Sequence, residues 1–259
     1  MAALIDLSIN DPCVLFPLRR EAAPFCREFR PQQRFPGAPC WARFCGPAWL
    51  SVLVLETGMG QARTAEALRW LLGRPLLENL PCRPRVVLSA GFAGALQAGY
   101  QVGDVVLATE VIDAEGGCWL TTWPGDLPAG PWQPPLRRGK LLTVSGLANA
   151  AGTKGELGEK YGAVAVDMES ATVARECLRE RIPFGCVRVI SDDVHTTLSP
   201  QLASVLTGGR VSALRVLGLV LRRPTVIGEL WQLARHTRHA AIQLGKALGE
   251  LLTLTLDSV

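Results

Sequence analysis

Two stretches decide how this chain is read: Val166-Asp167-Met168-Glu169-Ser170 and Val187-Arg188-Val189-Ile190-Ser191-Asp192. The first follows a short apolar run, Ala163 to Val166, and opens a helix. The second closes the next apolar run, Phe184 to Ile190, which reads as a strand. Each stretch places a carboxylate, Glu169 or Asp192, near the carboxyl end of a strand. That is where open α/β sheets bind their ligands. Two acids brought together there can divide the work: one stays ionised and grips hydroxyls, the other holds a proton and gives it away.

The rest of the chain narrows the class. A length of 259 residues suits one large α/β domain or two small ones. With 48% hydrophobic and 19% charged residues, the chain can bury a sizeable core and is not a disordered polymer. The net charge of +4 comes without a run of Lys and Arg, so no nucleic-acid partner is expected. Met1 to Asn10 lacks the basic start and long apolar run of a signal peptide. No stretch reaches about 18 consecutive apolar residues, so no transmembrane helix is expected. The eight cysteines are scattered, none in a Cys-x-x-Cys pair, and His is rare. Neither a zinc site nor a disulfide framework is expected. The expectation is a reduced cytoplasmic enzyme without a metal.

Taken in order, Pro12 to Pro17 reads as a first strand, followed by a charged cluster, Leu18 to Ala23, that opens a helix. Glu21 there either complements the helix dipole or serves as a general base at the strand end. Residues 31 to 47 read as a loop or irregular hairpin. Trp49 to Leu55 is a buried strand that runs into Glu56-Thr57-Gly58-Met59-Gly60 and a helix from Gln61 to Leu72. Such a glycine turn offers backbone N–H groups to an anion or polarised oxygen. It lacks the third glycine of a dinucleotide fingerprint. Arg85 to Ser89 is another strand, ending in the small-residue run Ala90-Gly91-Phe92-Ala93-Gly94-Ala95. That run is either a close approach to a ligand or a tight packing crossover. A strand from Val105 to Ile112 comes next. Residues 113 to 138 are read as a long loop over the site, Lys140 to Ser145 as a strand, and Asn149 to Tyr161 as a helix. Beyond Ser199-Pro200 the chain reads as mostly helical, with breaks at Gly208-Gly209 and Pro224. Val211 to Leu221 is nearly all apolar: a buried helix, an oligomer interface, or a patch for a lipid-like substrate.

The order of four stretches resembles the purine nucleoside phosphorylase and 5′-methylthioadenosine/S-adenosylhomocysteine nucleosidase superfamily. They are Thr57-Gly58-Met59-Gly60, Ala90 to Leu96 with Gly103-Asp104-Val105-Val106, Val166 to Ala171, and Val187 to Asp192. The resemblance implies an α/β fold: a three-layer α/β/α sandwich with a mixed, partly barrel-like central sheet and a helical C-terminal extension. It implies a single domain over 1–259, with its core at about 12–197 and the extension at about 198–259. Leu221-Arg222-Arg223-Pro224, Leu230, Leu233-Ala234-Arg235 and Ala240 are similar to a hopanoid-associated subgroup that removes adenine from adenosylhopane. The resemblance also implies roles. Glu169 accepts hydrogen bonds from the ribose hydroxyls, and Met168 packs on the sugar. Asp192 protonates N7 of the purine, Ser191 orients Asp192, and Glu21 activates the attacking water. Gly58, Phe92, Ala93, Gly94, Asp167 and Asn149 complete the expected lining. No cofactor is implied, and phosphate enters as co-substrate only if the chain is a phosphorylase. The partners expected are a small-molecule purine nucleoside and a second copy of the chain in a homodimer, with peripheral membrane contact if the substrate is a lipid.

Two departures stand out. Phe92 occupies a place where such nucleosidases commonly carry Ser. Leu147-Ala148-Asn149-Ala150 stands where an aromatic residue usually stacks on the base. Arg19, Arg20 and Arg63 are near enough to hold a phosphate, whereas Glu21 suits water, so hydrolysis is favoured over phosphorolysis. A non-catalytic nucleoside binder stays open, although it would have no use for Asp192. His195 is expected to be solvated.

Overall fold

The structure, a computed structural model, describes residues 12–34, 38–46, 51–72, 84–122, 134–146, 151–197 and 226–256. Asn149, the apolar stretch 211–221, Arg222, Arg223 and the helix breaks read at Gly208-Gly209 and Pro224 lie outside the described residues.

The N-terminal half is built as strand β1 (Cys13–Phe16), helix α1 (Arg19–Glu28), a hairpin of β2 (Pro31–Arg34) and β3 (Trp41–Cys45), strand β4 (Val52–Glu56) and helix α2 (Gln61–Leu72). Strands β5 (Val87–Ala95), β6 (Val105–Asp113), β7 (Cys118–Leu120) and β8 (Leu136–Thr143) follow. Then come α3 (Ala151–Tyr161), β9 (Ala165–Asp167), α4 (Ser170–Arg179), β10 (Phe184–Asp192) and the long α5 (Val226–Leu256). The sheet runs β10-β6-β8-β9-β5-β1-β4-β3-β2, with β7 added on β6. A further pairing of β10 with β5 closes five strands, β5, β10, β6, β8 and β9, into a barrel-like ring. Parallel pairs (β1 with β4 and β5, β5 with β10, β6 with β8) mix with antiparallel ones (β3 with β4, β5 with β9, β6 with β10).

The continuous apolar runs have a two-sided explanation. Along β1, Cys13 and Leu15 enter one core cluster while Val14 and Phe16 enter another. The same alternation splits Leu53 and Leu55 of β4 from Val52 and Val54, and Cys186 and Ile190 of β10 from Val187 and Val189. Successive strand side chains point to opposite faces, so both faces are covered. One face carries Leu68 and Leu71 of α2 with Val173 and Cys177 of α4, and the other Phe25 of α1 with Leu244 and Leu248 of α5. The fold is therefore the expected α/β/α sandwich around a mixed, partly closed sheet, with a C-terminal helix.

Two local expectations need correction. The small-residue run Ala90 to Ala95 is not a crossover but the second half of β5, paired with β10 as far as Gly94. Gly91 and Gly94 are tolerated there because close packing, not a bend, is what the strand needs. The long loop read over 113–138 contains β7, which turns back antiparallel on β6, and the start of β8. Of the two readings of residues 31 to 47, the irregular hairpin holds: Pro31–Arg34 pairs antiparallel with Trp41–Cys45, with a register shift between Pro31 and Gln33.

One feature of this topology places the site. Strand β10 occupies one edge of β5 from Val87 to Gly94, so β1 and β9 share the other edge. They pair with it at opposite ends, Val87 to Ser89 and Gly94 to Ala95. Between them β5 is left as a fork at Ala90 to Ala93.

Candidate active site

Glu21 fills this fork. It sits in the first turn of α1, directly after β1, and is 3% exposed. Its Oε1 accepts the Phe92 N–H at 3.1 Å, and its Oε2 accepts the Leu18 N–H at 2.7 Å. The carboxyl thus supplies the hydrogen bond that the fork leaves open on β5 and the one that the helix start leaves open on α1. A Cβ at Gly91 would lie 3.4 Å from Glu21 Oε1 and 3.2 Å from Pro17 Cδ, which explains the missing side chain. Burial pushes the Glu21 pKa up to about 7, against the pull of the Phe92 and Leu18 N–H groups and of Arg188 and Arg20.

Glu169 caps α4 from the end of β9 and is 7% exposed. Its Oε1 accepts the N–H of Gly60 at 2.7 Å. Gly58 and Gly60 turn with φ of +84° and +95°, a region that side chains make costly. The turn brings a backbone donor at the start of α2 to Glu169. Burial, and then the nearby charge of Asp167, pushes the Glu169 pKa up to about 7; Gly60 and Arg188 pull the other way, while Glu21 adds to the rise. The two glutamates are thus electrostatic neighbours.

Asp192 closes β10. The register with β5 slips between Ile190 and Asp192, leaving Ser191 as an extra residue, and a bulge of this kind re-aims the side chain that follows. Ser191 Oγ lies 2.7 Å from Asp192 Oδ1 and 3.3 Å from the carbonyl of Ala93. A Cβ at Gly94 would come within 2.9 Å of Asp192 Oδ2. Asp192 therefore stands beside Gly94 and Glu21 beside Gly91, both in the C-terminal half of β5.

Beneath these groups lies a polar network that the sequence reading did not anticipate. Arg188, 1% exposed, donates from Nε and Nη2 to Asp167 Oδ2 at 2.9 and 2.6 Å, and from Nη2 to Ser89 and Ser170 Oγ. Thr143 Oγ1 donates to Asp167 Oδ1 at 2.6 Å, and the N–H and hydroxyl of Ser170 both reach Oδ2. Both Asp167 oxygens are engaged by protein donors. A charged residue inside the apolar strand Phe184 to Ile190 was the visible signal for Arg188. Lys154 was also missed. It is 1% exposed, and its ammonium pairs with Asp192 Oδ2. Its signal was its place on the inward stripe of α3, with Gly158 buried and Leu157 and Tyr161 packed inward, at the spacing that shares one helix face.

Met168, Gly58, Gly94 and Phe92 are partly exposed around these carboxyls, and Ala93 is buried. Phe92 also carries the guanidinium of Arg20 5.9 Å from its ring centroid. Arg63 lies against Gly58, whose Cβ would meet its Cδ at 2.8 Å, whereas Arg19 stands over the ring of Trp41. His195 is exposed. Among the described residues, no group of His, Cys, Asp and Glu is placed to hold a metal ion, and no helix is long and apolar enough to cross a membrane.

The fold and these contacts define an α/β protein in which two buried glutamates and a half-buried aspartate follow or close strands of one sheet. A family model described as the phosphorylase superfamily matches residues 18–133 and 125–222, and the chain belongs to that superfamily. A 5′-methylthioadenosine/S-adenosylhomocysteine nucleosidase of Exiguobacterium is 25% identical over 198 residues, covering 67% of this chain and 81% of the relative. One from Glaesserella parasuis is 30% identical over 165 residues, 54% of this chain and 67% of the relative. Among solved structures, a nucleosidase of the same name from Helicobacter pylori superposes with a TM-score of 0.71 at 17% identity, covering 98% of this chain and 100% of the other. The futalosine hydrolase of the same organism gives 0.68 at 15% identity, covering 97% and 99%.

Proposed function

We propose that this protein cleaves the N-glycosidic bond of a purine nucleoside, adenine being the favoured base, with water as the acceptor. The observation that carries the reading is that Glu21 lies beside Gly91 and Asp192 beside Gly94, two positions of the same strand β5, with Glu169 an electrostatic neighbour of Glu21. In this account the ribose 2′- and 3′-hydroxyls donate to Glu169, and Met168 packs on the sugar. As the C1′–N9 bond breaks, its electron pair moves into the purine and Asp192 delivers a proton to N7, so the base leaves neutral. The sugar passes through an oxocarbenium-like state, as in glycoside hydrolysis. A water held by Glu21 attacks C1′ and gives its proton to that carboxylate. Solvent then returns one proton from Glu21 to Asp192.

Hydrolysis is favoured because two buried carboxyls already share this end of the cleft, and a phosphate dianion there would meet both. The names of the relatives agree. Phosphorolysis is the second reading, and the observations behind it are Arg20 on Phe92 and Arg63 on Gly58. A single domain acting as a homodimer in the cytoplasm is part of the proposal. 5′-Methylthioadenosine, S-adenosylhomocysteine and adenosylhopane are the 5′-modified adenosines to assay, with Asn149 as a reader of the base edge. The test is adenine release from 5′-methylthioadenosine and adenosine by the wild type, Asp192→Asn and Glu169→Gln. The expected result is turnover by the wild type and a loss of about 10²-fold or more in kcat for Asp192→Asn. Nucleoside binding without turnover by the wild type would identify a binder instead.

A further inference from the structure

We infer that Lys154 is a positioning residue for the proton donor of this site, its ammonium holding the Asp192 carboxyl in place and stabilising the charge that carboxyl acquires when its proton leaves. The inference rests on the reading of Asp192 as the acid.

An ammonium has three protons to donate and no acceptor, and burying one is costly unless it is paired and hydrogen-bonded. Lys154 meets that condition through a single segment of chain. Its Nζ donates to Asp192 Oδ2, to the carbonyl of Asp193 at 2.9 Å and to the carbonyl of Thr196 at 3.1 Å. That segment carries Asp192 at its start, and is itself folded back by Asp193 Oδ1, which accepts from the N–H and hydroxyl of Thr196 at 2.7 and 2.8 Å. With Ser191 Oγ on Oδ1, the Asp192 carboxyl is held at both oxygens, from α3 on one side and from its own strand on the other.

The chemistry gives this geometry a purpose. During cleavage the proton passes from Asp192 to N7, the C1′–N9 pair enters the purine ring, and a carboxylate is left behind. An adjacent cation favours that carboxylate, so the contact strengthens as the transition state is approached, and interactions of that kind raise kcat rather than lower KM. Loss of Lys154 should therefore matter in proportion to how much the leaving group needs a proton.

The experiment compares two substrates. Adenosine or 5′-methylthioadenosine loses a base that must be protonated; 4-nitrophenyl β-riboside loses a phenolate that departs without help. For Lys154→Met we expect kcat on the purine nucleoside to fall by about 10²-fold, KM to stay within about threefold, and turnover of the nitrophenyl riboside to stay within about fivefold. Lys154→Gln, which keeps a donor but no charge, is read by the same criterion should the Met variant fail to fold. Purine turnover within threefold of the wild type in either folded variant overturns the inference. Equal loss on both substrates in both variants also overturns it, because Lys154 would then serve the scaffold alone. Asp192→Asn is run beside them. If it keeps purine turnover, the reading of Asp192 fails and the inference falls with it. If it loses purine turnover selectively while the Lys154 variants do not, the inference alone fails.

Discussion

Glu21 and Glu169 are acids whose surroundings oppose their ionisation, and the proposed roles need both ionised, one to hold the diol and one to take a proton from water. With both pKa values raised to about 7, kcat/KM is expected to fall as pH drops below about 7, the slope steepening where both carboxyls become protonated. A profile flat from pH 8 to 5 would contradict this. The same shift acts on stability. A carboxyl that folds with its pKa raised from 4.5 to about 7 holds more protons folded than unfolded between those values. Its contribution to stability is therefore fully present below about pH 4.5 and is lost as pH rises through about 7. Glu169→Gln keeps an acceptor for the Gly60 N–H and removes the charge. Urea denaturation at pH 8 should find the variant more stable than the wild type by about 3 kcal/mol, with the difference gone near pH 4; a less stable variant at pH 8 would count against the burial argument. The carboxylates themselves were legible in sequence because each ends a strand or opens a helix. Their cations were not. Lys154 and Arg188 reach the site by burial among residues distant in sequence, and only their place inside apolar patterns marked them.

At the scale of elements, the site depends on how strands and helices meet. The Arg188–Asp167 pair ties β10 to β9, and through Ser170, Thr143 and Ser89 to α4, β8 and β5. Removing one charge of a buried pair leaves the other uncompensated, so Asp167→Asn should destabilise the protein by about 3–5 kcal/mol, read from its denaturation midpoint. Helix α5 lies against α1, the helix that carries Glu21. At Gly245 a Cβ would stand 3.0 Å from the Phe25 nitrogen and 3.1 Å from Pro24 Cβ. Gly245→Val gains only a few tenths of a kcal/mol in helix propensity against an overpacking cost of about 1–3 kcal/mol. It should lower stability and, by tilting α1, adenine release as well; a variant as stable as the wild type would show that the helices have room. The α2 boundaries were readable from its apolar spacing, and the strands from their apolar runs. Strand β7 was not, because Cys118 to Leu120 is short and largely exposed, with little alternation to read. The second half of β5 was not read as strand because its small residues suit a crossover or a close approach equally well, and only the pairing partner tells them apart.

For the molecule as a whole, apolar runs without polar alternation imply a sheet covered on both faces, and that much of the three-layer fold was present in the sequence. The closure of the five-strand ring was not, since it depends on β10 pairing with β5 in partners such as Phe184 and Val87, 97 residues apart, and no local pattern encodes that partner. The fork on β5 is a product of the same long-range pairing, and it gives Glu21 its place. The central claim is that water, not phosphate, receives the sugar. The direct measurement is product analysis after incubation of the wild type with 5′-methylthioadenosine in phosphate-free buffer and again with millimolar phosphate. The account predicts equal adenine release in both, with 5-methylthioribose as the sugar product. Release that requires phosphate and yields the sugar 1-phosphate would contradict it, and would assign the acceptor site to Arg20 and Arg63 in place of Glu21.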